Sequence, residues 1–219
     1  MIYYIFKDGV ERDIAIGKLV CLARSYKKHA QEMKSDIPKE PIIFLKPASS
    51  VIFDGDTIKI PKMSKCIHHE VEFGIVIGEK CKNILKKDAI NYVLGYLVAL
   101  DITARDIQTE FKKKGWPWGI AKCFDTFAPI SEVVLKEDIS NPQNLEISLK
   151  VNGEVRQSSN TRFMIFSIEE IIEFISKIMT LEPGDLIMTG TPEGVSEIVK
   201  GDVLEAKLGN ICSLKVNAD

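Results

Sequence analysis

The chain lacks the features that mark a membrane-bound, secreted or nucleic-acid-binding protein. No apolar run reaches the roughly 18 residues that cross a bilayer. The start, MIYYIFKDGVERD, has neither the basic stretch nor the long apolar stretch of a signal peptide. A cytoplasmic protein with no membrane partner is therefore expected. Five cysteines, Cys21, Cys66, Cys81, Cys123 and Cys212, are an odd number, scattered and without a CxxC pair. That argues against a disulfide frame and against zinc, and reads as reduced, mostly buried small residues. Lys and Arg number 29 against 31 Asp and Glu, a net charge of −2, so there is no cationic surplus with which to hold nucleic acid. Repeats and low-complexity segments are missing too. What remains is ordinary: 219 residues, 45% hydrophobic and 27% charged, enough for one sizeable buried core.

Within that ordinary composition one stretch stands apart, Ile67 to Gly78, IHHEVEFGIVIG. It is rich in β-branched residues, and side chains on a strand alternate faces. His69, Val71, Phe73, Ile75 and Ile77 share one apolar face, which reads as core. The other face carries His68, Glu70, Glu72, Gly74 and Val76. Two carboxylates about 4 Å apart repel by about 4 kcal/mol at an effective dielectric near 20, so either a cation sits between them or one stays protonated. Hard divalent ions such as Mg²⁺, Mn²⁺ and Ca²⁺ suit an oxygen cluster without cysteine better than zinc does. The alternative is an exposed strand face on which both acids are solvated or paired with lysines.

The rest of the chain offers weaker signals. Residues 2–6 and 10–16 flank Lys7-Asp8-Gly9 and read as a hairpin. Lys18–Ala23 reads as a strand and Ser25–Met33 as a helix ended by Pro38. His29 and Glu32 lie three apart, hence on one helix face, either as a general base held by a carboxylate or as an exposed pair. Arg24, at the junction, could meet an anion or form a surface pair. Lys46-Pro47-Ala48-Ser49-Ser50 interrupts an apolar run as a loop at a site would. If DITARDIQTEF is a helix, Asp101, Arg105 and Gln108 fall at i, i+4 and i+7, lining one stripe, which could equally be an ordinary surface ion pair. A Trp116-Pro117-Trp118-Gly119 turn precedes Lys122, whose apolar surroundings demand either an anion or an escape to water.

The second half reads as scaffold. LEISLKVNGEVRQ is a hairpin with Asn152-Gly153 at its tip. Ser167 and Glu170 form a capping box opening a helix whose stripe of Ile168, Ile171, Ile172, Ile175, Ile178 and Met179 covers the sheet. The strand in LIMTGTPEGV ends at Gly190-Thr191-Pro192, a loop able to hold a carboxylate or simply to turn. Lys200-Gly201-Asp202 opens a closing hairpin. The division expected is a short N-terminal β extension, 1–17, and a single domain, 18–219.

Taken together, ARSYxxHAxE, FLKPASS, HHEVEFGIVIG, GYxVALDITARDxQ, AKCFDTFAPI, NGEVRQSSNTRFMIF and LEPGDLIMTGTPEGV resemble the fumarylacetoacetate hydrolase family, most closely its short single-domain acylpyruvase and oxaloacetate decarboxylase branch. The resemblance runs from about Lys18 to Val216. It implies a mixed α+β, predominantly β fold, a β-roll of twisted mixed sheets with a few covering helices, usually as a homodimer, with a site for Mg²⁺ or Mn²⁺ that also suits Ca²⁺. It implies Glu70, Glu72 and Asp101 as metal ligands, and His29 with Glu32 as a water-activating dyad. Arg105, Gln108 and Lys122 would contact substrate, and Thr191 its carboxylate. Arg24 matches an arginine of the family's GRNY run, although Ala23 and Ser25 stand here where glycine and asparagine are commoner.

The activity implied is metal-dependent hydrolysis of a carbon–carbon bond in a 2,4-dioxo acid of the acylpyruvate or fumarylpyruvate type. His29, oriented by Glu32, activates water, and a metal-stabilised pyruvate enolate leaves, with Lys122 beside the developing charge. Oxaloacetate decarboxylation and isomerisation of an unsaturated dicarboxylate share that intermediate and stand as alternatives. A non-catalytic metal-binding protein is the remote one.

Overall fold

The Val71–Ile77 strand lies third in a six-stranded sheet and is buried along its whole length. The computed structural model describes residues 1–32 and 36–219. In that sheet the order is Val134–Leu135, Val93–Leu100, Val71–Ile77, Leu186–Met188, Leu19–Ala23 and Ile42–Lys46. Val71–Ile77 runs antiparallel to both of its neighbours. The expected single strand from Ile67 to Gly78 divides at Glu70: Ile67–His69 joins a smaller sheet, and His69 bonds Gln157 and Ser196 in place of the apolar core. From Val71 the alternation holds: Val71, Phe73, Ile75 and Ile77 enter the larger apolar cluster, while Val76 faces a smaller one with Leu97, Ala99, Leu186 and Met188. Gly74 sits opposite Leu97 and Met188. A Cβ there would come within 2.4 Å of Leu97 Cδ1, so the space left by the glycine is taken by leucine.

A second sheet, five-stranded, packs its Ile147, Leu149, Leu204 and Leu214 into the larger cluster. The hairpin of Glu146–Val151 and Glu154–Asn160 turns at Asn152 and Gly153, both with positive φ, the geometry of a type I′ turn. Two smaller sheets complete the architecture, one of which joins Ser196–Ile198, Ile67–His69 and Thr103–Ala104. The result is mixed α+β and predominantly sheet, with few helices. The Ile168–Ile178 helix opens with the capping box of Ser167 and Glu170 and buries Ile168, Ile171, Ile172 and Ile175. Ile178 departs from the expected stripe. It stands in the last turn and is 52% exposed.

Three further expectations change on folding. Residues 2–16 form no regular hairpin. The two segments pair over a short stretch only, through an antiparallel bridge of Tyr3 to Ala15 flanked by the Tyr4 amide donating to the Ile14 carbonyl at 3.2 Å and the Ile16 amide to the Ile2 carbonyl at 2.7 Å. Tyr4, Phe6 and Ile16 are buried in the smaller cluster. The early helix spans Lys27–Glu32, and Met33 lies outside the described residues. Asp101 is not on a helix: the strand ends at Leu100, Thr103–Ala104 pairs with Ile67 and His68, and the helix begins at Arg105. It ends at Gly115, in the left-handed conformation that favours glycine at a C-terminal cap. Among the described residues no helix is long and apolar enough to cross a membrane, and all five cysteines are unpaired.

Candidate active site

The site forms where the central strand meets its neighbours' ends. Strand pairing breaks at Glu70, whose carbonyl accepts a hydrogen bond from the Asp101 amide at 2.8 Å, so the backbone fixes these two acids side by side. Glu72 follows two residues on, pointing to the same face. The carboxylates of Glu70, Glu72 and Asp101 offer oxygens within 4.8 Å of one another, and all three residues are buried. The solvated-face alternative is thereby excluded.

Burial of three acids demands compensation, and much of it comes from buried cations. Lys122 Nζ donates to Glu70 Oε2 at 3.0 Å, to Thr103 Oγ1 at 2.6 Å and to Asp101 Oδ2. Lys46 Nζ donates to Asp101 Oδ1 at 2.6 Å and to the Ile102 carbonyl at 3.1 Å. Arg105 reaches Glu70 Oε1 with one nitrogen and Gln108 Oε1, at 2.6 Å, with another. Burial alone would raise the Glu70 carboxyl, but the Lys122 and Arg105 charges outweigh it and hold Glu70 below the usual carboxylate range. Burial likewise works against the charge on Lys122, and Asp101 and Glu70 more than offset it, raising that ammonium. Glu72 differs. No cation lies within ion-pair distance of it among the described residues, its described hydrogen bond comes from the Gly190 amide at 2.8 Å, and burial with the Asp101 and Glu70 charges pushes its carboxyl well upward.

That asymmetry is the test of whether a metal fits. A divalent ion shared by the three carboxylates would hold the charge of the one acid that the lysines leave uncompensated, and the donor set is all oxygen. With Lys46 counted, three cations already balance the three acids, so a bound divalent ion leaves an excess of two positive charges. Such a site favours an anionic ligand.

The remaining predicted residues line one cleft, except Glu32, which meets it through His29. His29 Nδ1 lies 3.1 Å from Glu32 Oε2, and Glu32 Oε1 accepts from the Gly194 amide at 3.1 Å. Arg24, His29, Glu70, Arg105, Gln108, Lys122 and Thr191 all line the cleft, together with Phe44, Lys112 and Trp118. Arg24 has φ 60, a left-handed backbone between the Leu19–Ala23 strand and the next helix. Phe44 lies under the Lys122 ammonium, 5.0 Å from ring centroid to Nζ, a cation–π contact that lends Lys122 an apolar floor. His68 accepts from Arg105 Nε at 3.4 Å, and burial and that charge bring its pKa down to about 4. It is neutral beside the acids.

Lys46, read from the sequence only as the start of a loop at a site, ends a strand instead and is a site residue to which that reading gave no role. Its signal was the FLKP run, where a lysine ends an apolar strand, and only the pairing of Ile42–Lys46 with Leu19–Ala23 brings it to Asp101.

Comparison with known proteins accords with this geometry. Residues 18–217 match the model of the fumarylacetoacetate (FAA) hydrolase C-terminal family. The chain is 45% identical over 201 residues to the mitochondrial oxaloacetate tautomerase FAHD1 of Bos taurus, covering 92% of this chain and 91% of that one. Among solved structures it is similar to fumarylpyruvate hydrolase from Pseudomonas aeruginosa in complex with Mn²⁺ and pyruvate, with a TM-score of 0.95, 33% identity and coverage of 99% and 95%. It is also similar to 5-carboxymethyl-2-hydroxymuconate delta-isomerase from Mycobacterium smegmatis, with a TM-score of 0.83, 38% identity and coverage of 94% and 79%. On the match across its domain, the chain belongs to the fumarylacetoacetate hydrolase family.

Proposed function

We propose that this protein interconverts the keto and enol forms of a small 2-oxo dicarboxylate of the oxaloacetate type. The observation that carries the reading is the clustering of Glu70, Glu72 and Asp101 under Lys46, Lys122 and Arg105, with His29, paired to Glu32, lining the adjoining cleft. The tautomerase name of the 45% identical relative supports it. Glu70, Glu72 and Asp101 would hold Mg²⁺ or Mn²⁺, which when bound supplies Lewis-acid polarisation of the 2-oxo group. Lys122, its ammonium kept charged by two acids, stabilises negative charge as it develops on the substrate oxygen. Arg105 and Thr191 bind the adjacent carboxylate, Gln108 holds Arg105, and Arg24 adds charge at the cleft wall. His29 spends Nδ1 on Glu32, which leaves Nε2 to move the proton. One proton passes between carbon 3 and the oxygen on carbon 2, and no co-substrate is consumed. Residues 18–219 act as one catalytic domain with 1–17 packed upon it, a homodimer belongs to the same reading by resemblance, and the cytoplasmic expectation stays a proposal beside a mitochondrial relative.

A second reading is hydrolysis of a 2,4-dioxo acid, favoured by the His29–Glu32 pair, which suits water activation, and by the fumarylpyruvate hydrolase likeness. There His29 would take a proton from water, hydroxide would add to the distal carbonyl, and the bond between carbons 3 and 4 would break with its electron pair entering a pyruvate enolate that is then protonated. Assaying enol-oxaloacetate, acetylpyruvate and fumarylpyruvate side by side with Mg²⁺ separates the two. Faster ketonisation of oxaloacetate alone supports tautomerisation, cleavage of the dioxo acids supports hydrolysis, and inertness toward all three rejects both. In either case His29→Ala should lower kcat about 100-fold or more and leave Mn²⁺ affinity unchanged.

A further inference from the structure

Gln157 belongs to none of the groups assigned above. It lies in the Glu154–Asn160 strand and is 1% exposed, the one fully buried residue of that strand. The reason is a bulge: Leu149 pairs with Gln157 while Lys150 pairs with Val155, so Arg156 is the extra residue and Gln157 is aimed inward. Its amide then uses every bond it can make. Oε1 accepts from the Val71 amide at 3.0 Å and faces His69 Nδ1 at 2.9 Å. Nε2 donates to Thr191 Oγ1 at 2.8 Å and to the Pro192 carbonyl at 2.9 Å.

The orientation of this amide is forced, because a backbone N–H can only donate and a carbonyl can only accept. Two consequences follow. His69 must carry its proton on Nδ1, leaving Nε2 to accept from Ser196 Oγ at 2.7 Å, and burial, which lowers its pKa, agrees with a neutral ring. Thr191 Oγ1 is occupied as an acceptor by Gln157, so its own hydrogen is turned elsewhere. That hydrogen has no acceptor among the described residues, and Thr191 lines the cleft.

The same loop carries two more contacts to the site. The Gly190 amide donates to Glu72 and the Gly194 amide to Glu32. Gly194 rests against the bulge, since a Cβ there would lie 2.2 Å from the Arg156 carbonyl oxygen. One buried amide thus braces the strand that bears Glu72 against the loop that holds Glu72, Glu32 and the Thr191 hydroxyl.

We infer that Gln157 is a positioning residue that presets the Thr191 hydroxyl as a hydrogen-bond donor to the substrate carboxylate. The inference rests on the proposed 2-oxo acid reading of the cleft. Gln157→Glu is close in shape but replaces the donating NH₂ with an acceptor, so Thr191 would turn its hydrogen toward position 157 and withdraw it from the ligand. The expected result with Mn²⁺ present is a rise of about tenfold or more in KM and in the oxalate inhibition constant, with kcat within about threefold of wild type. Thr191→Val should give a similar rise, Thr191→Ser should restore the wild-type KM, and Gln157→Glu added to Thr191→Val should cost nothing more.

An unchanged KM in Gln157→Glu, or penalties that multiply in the double variant, would overturn the inference. Should Gln157→Glu not fold, the Thr191 pair and the wild-type ¹⁵N imidazole spectrum decide. A neutral His69 protonated on Nδ1 together with the Thr191 effects supports the inference, whereas an Nε2–H tautomer or a silent Thr191→Val contradicts it. A wild-type protein that neither binds oxalate nor turns over any 2-oxo acid strikes instead at the functional reading itself.

Discussion

Lys46 shows at the scale of one side chain how this site is paid for. A lysine whose side chain has no solvent exposure is tolerable only because Asp101 receives it at 2.6 Å and the Ile102 carbonyl takes a second bond. Breaking one member of a buried pair is costlier than the pair is worth, because the survivor keeps its desolvation penalty. Lys46→Met should therefore destabilise the protein by about 3 kcal/mol, the low end for such a break, because Lys122 still reaches the other Asp101 oxygen. Urea unfolding would measure it, and a midpoint equal to wild type would show that Lys46 does not hold Asp101. At this scale the acids were legible in the sequence and the bases only partly so. Glu70 and Glu72 announce themselves because a period of two places them together on an apolar strand. Lys46 precedes a proline at the end of an apolar run, a pattern equally common at surfaces, and Gln157 stands in a polar QSSN stretch where nothing local betrays the bulge. Their burial is a product of pairing with distant strands, which no local pattern contains.

At the scale of elements, the readings that held were those carried by strong local chemistry. The Asn152-Gly153 turn and the Ser167–Glu170 box are examples, each defined within four residues. The Asp101 stripe failed for an instructive reason: helical spacing in DITARDIQ was read across residues that form a two-residue connection and a short strand before the helix starts at Arg105. Asp101 and Arg105 still meet Glu70 without that helix, because Thr103–Ala104, pairing with Ile67 and His68, folds them back toward it. For the Ile168–Ile178 helix, Ser167→Ala should cost about 1 kcal/mol, read as a lower thermal midpoint with activity intact. Its Glu170 partner is held below the usual carboxylate range, first by Lys86 and then by the Ser167 amide. A carboxyl lowered in the folded state stabilises above its unfolded pKa and loses that contribution as pH falls through its folded one. Glu170→Gln should accordingly flatten the acid side of the stability profile and leave the neutral side parallel to wild type. A profile unchanged below pH 5 would contradict the pairing.

Across the whole molecule, the site is a junction between segments that are far apart in sequence. Residues 24–32, 44–46, 70–72, 101–108, 122 and 190–194 meet only once the six-stranded sheet has formed and the Gly190–Gly194 loop has closed over its end. Gly190 is needed there, since at φ +89 a Cβ would stand 2.6 Å from Ser25 Oγ. The fold class followed from composition, strand periodicity and family likeness, but the charge balance of the finished site did not. Counting Arg105 and Lys122 alone, the sequence reading arrives at one excess positive charge with a divalent ion bound. Lys46 makes it two, the better match to a dicarboxylate.

The account turns on one divalent ion shared by Glu70, Glu72 and Asp101, and calorimetric titration of the EDTA-treated protein with Mn²⁺ tests it most directly. One ion should bind per wild-type chain, and Glu72→Gln, which keeps the shape and removes the uncompensated charge, should bind it at least tenfold more weakly. Wild-type affinity in that variant, or no binding by the wild-type chain, would contradict the claim.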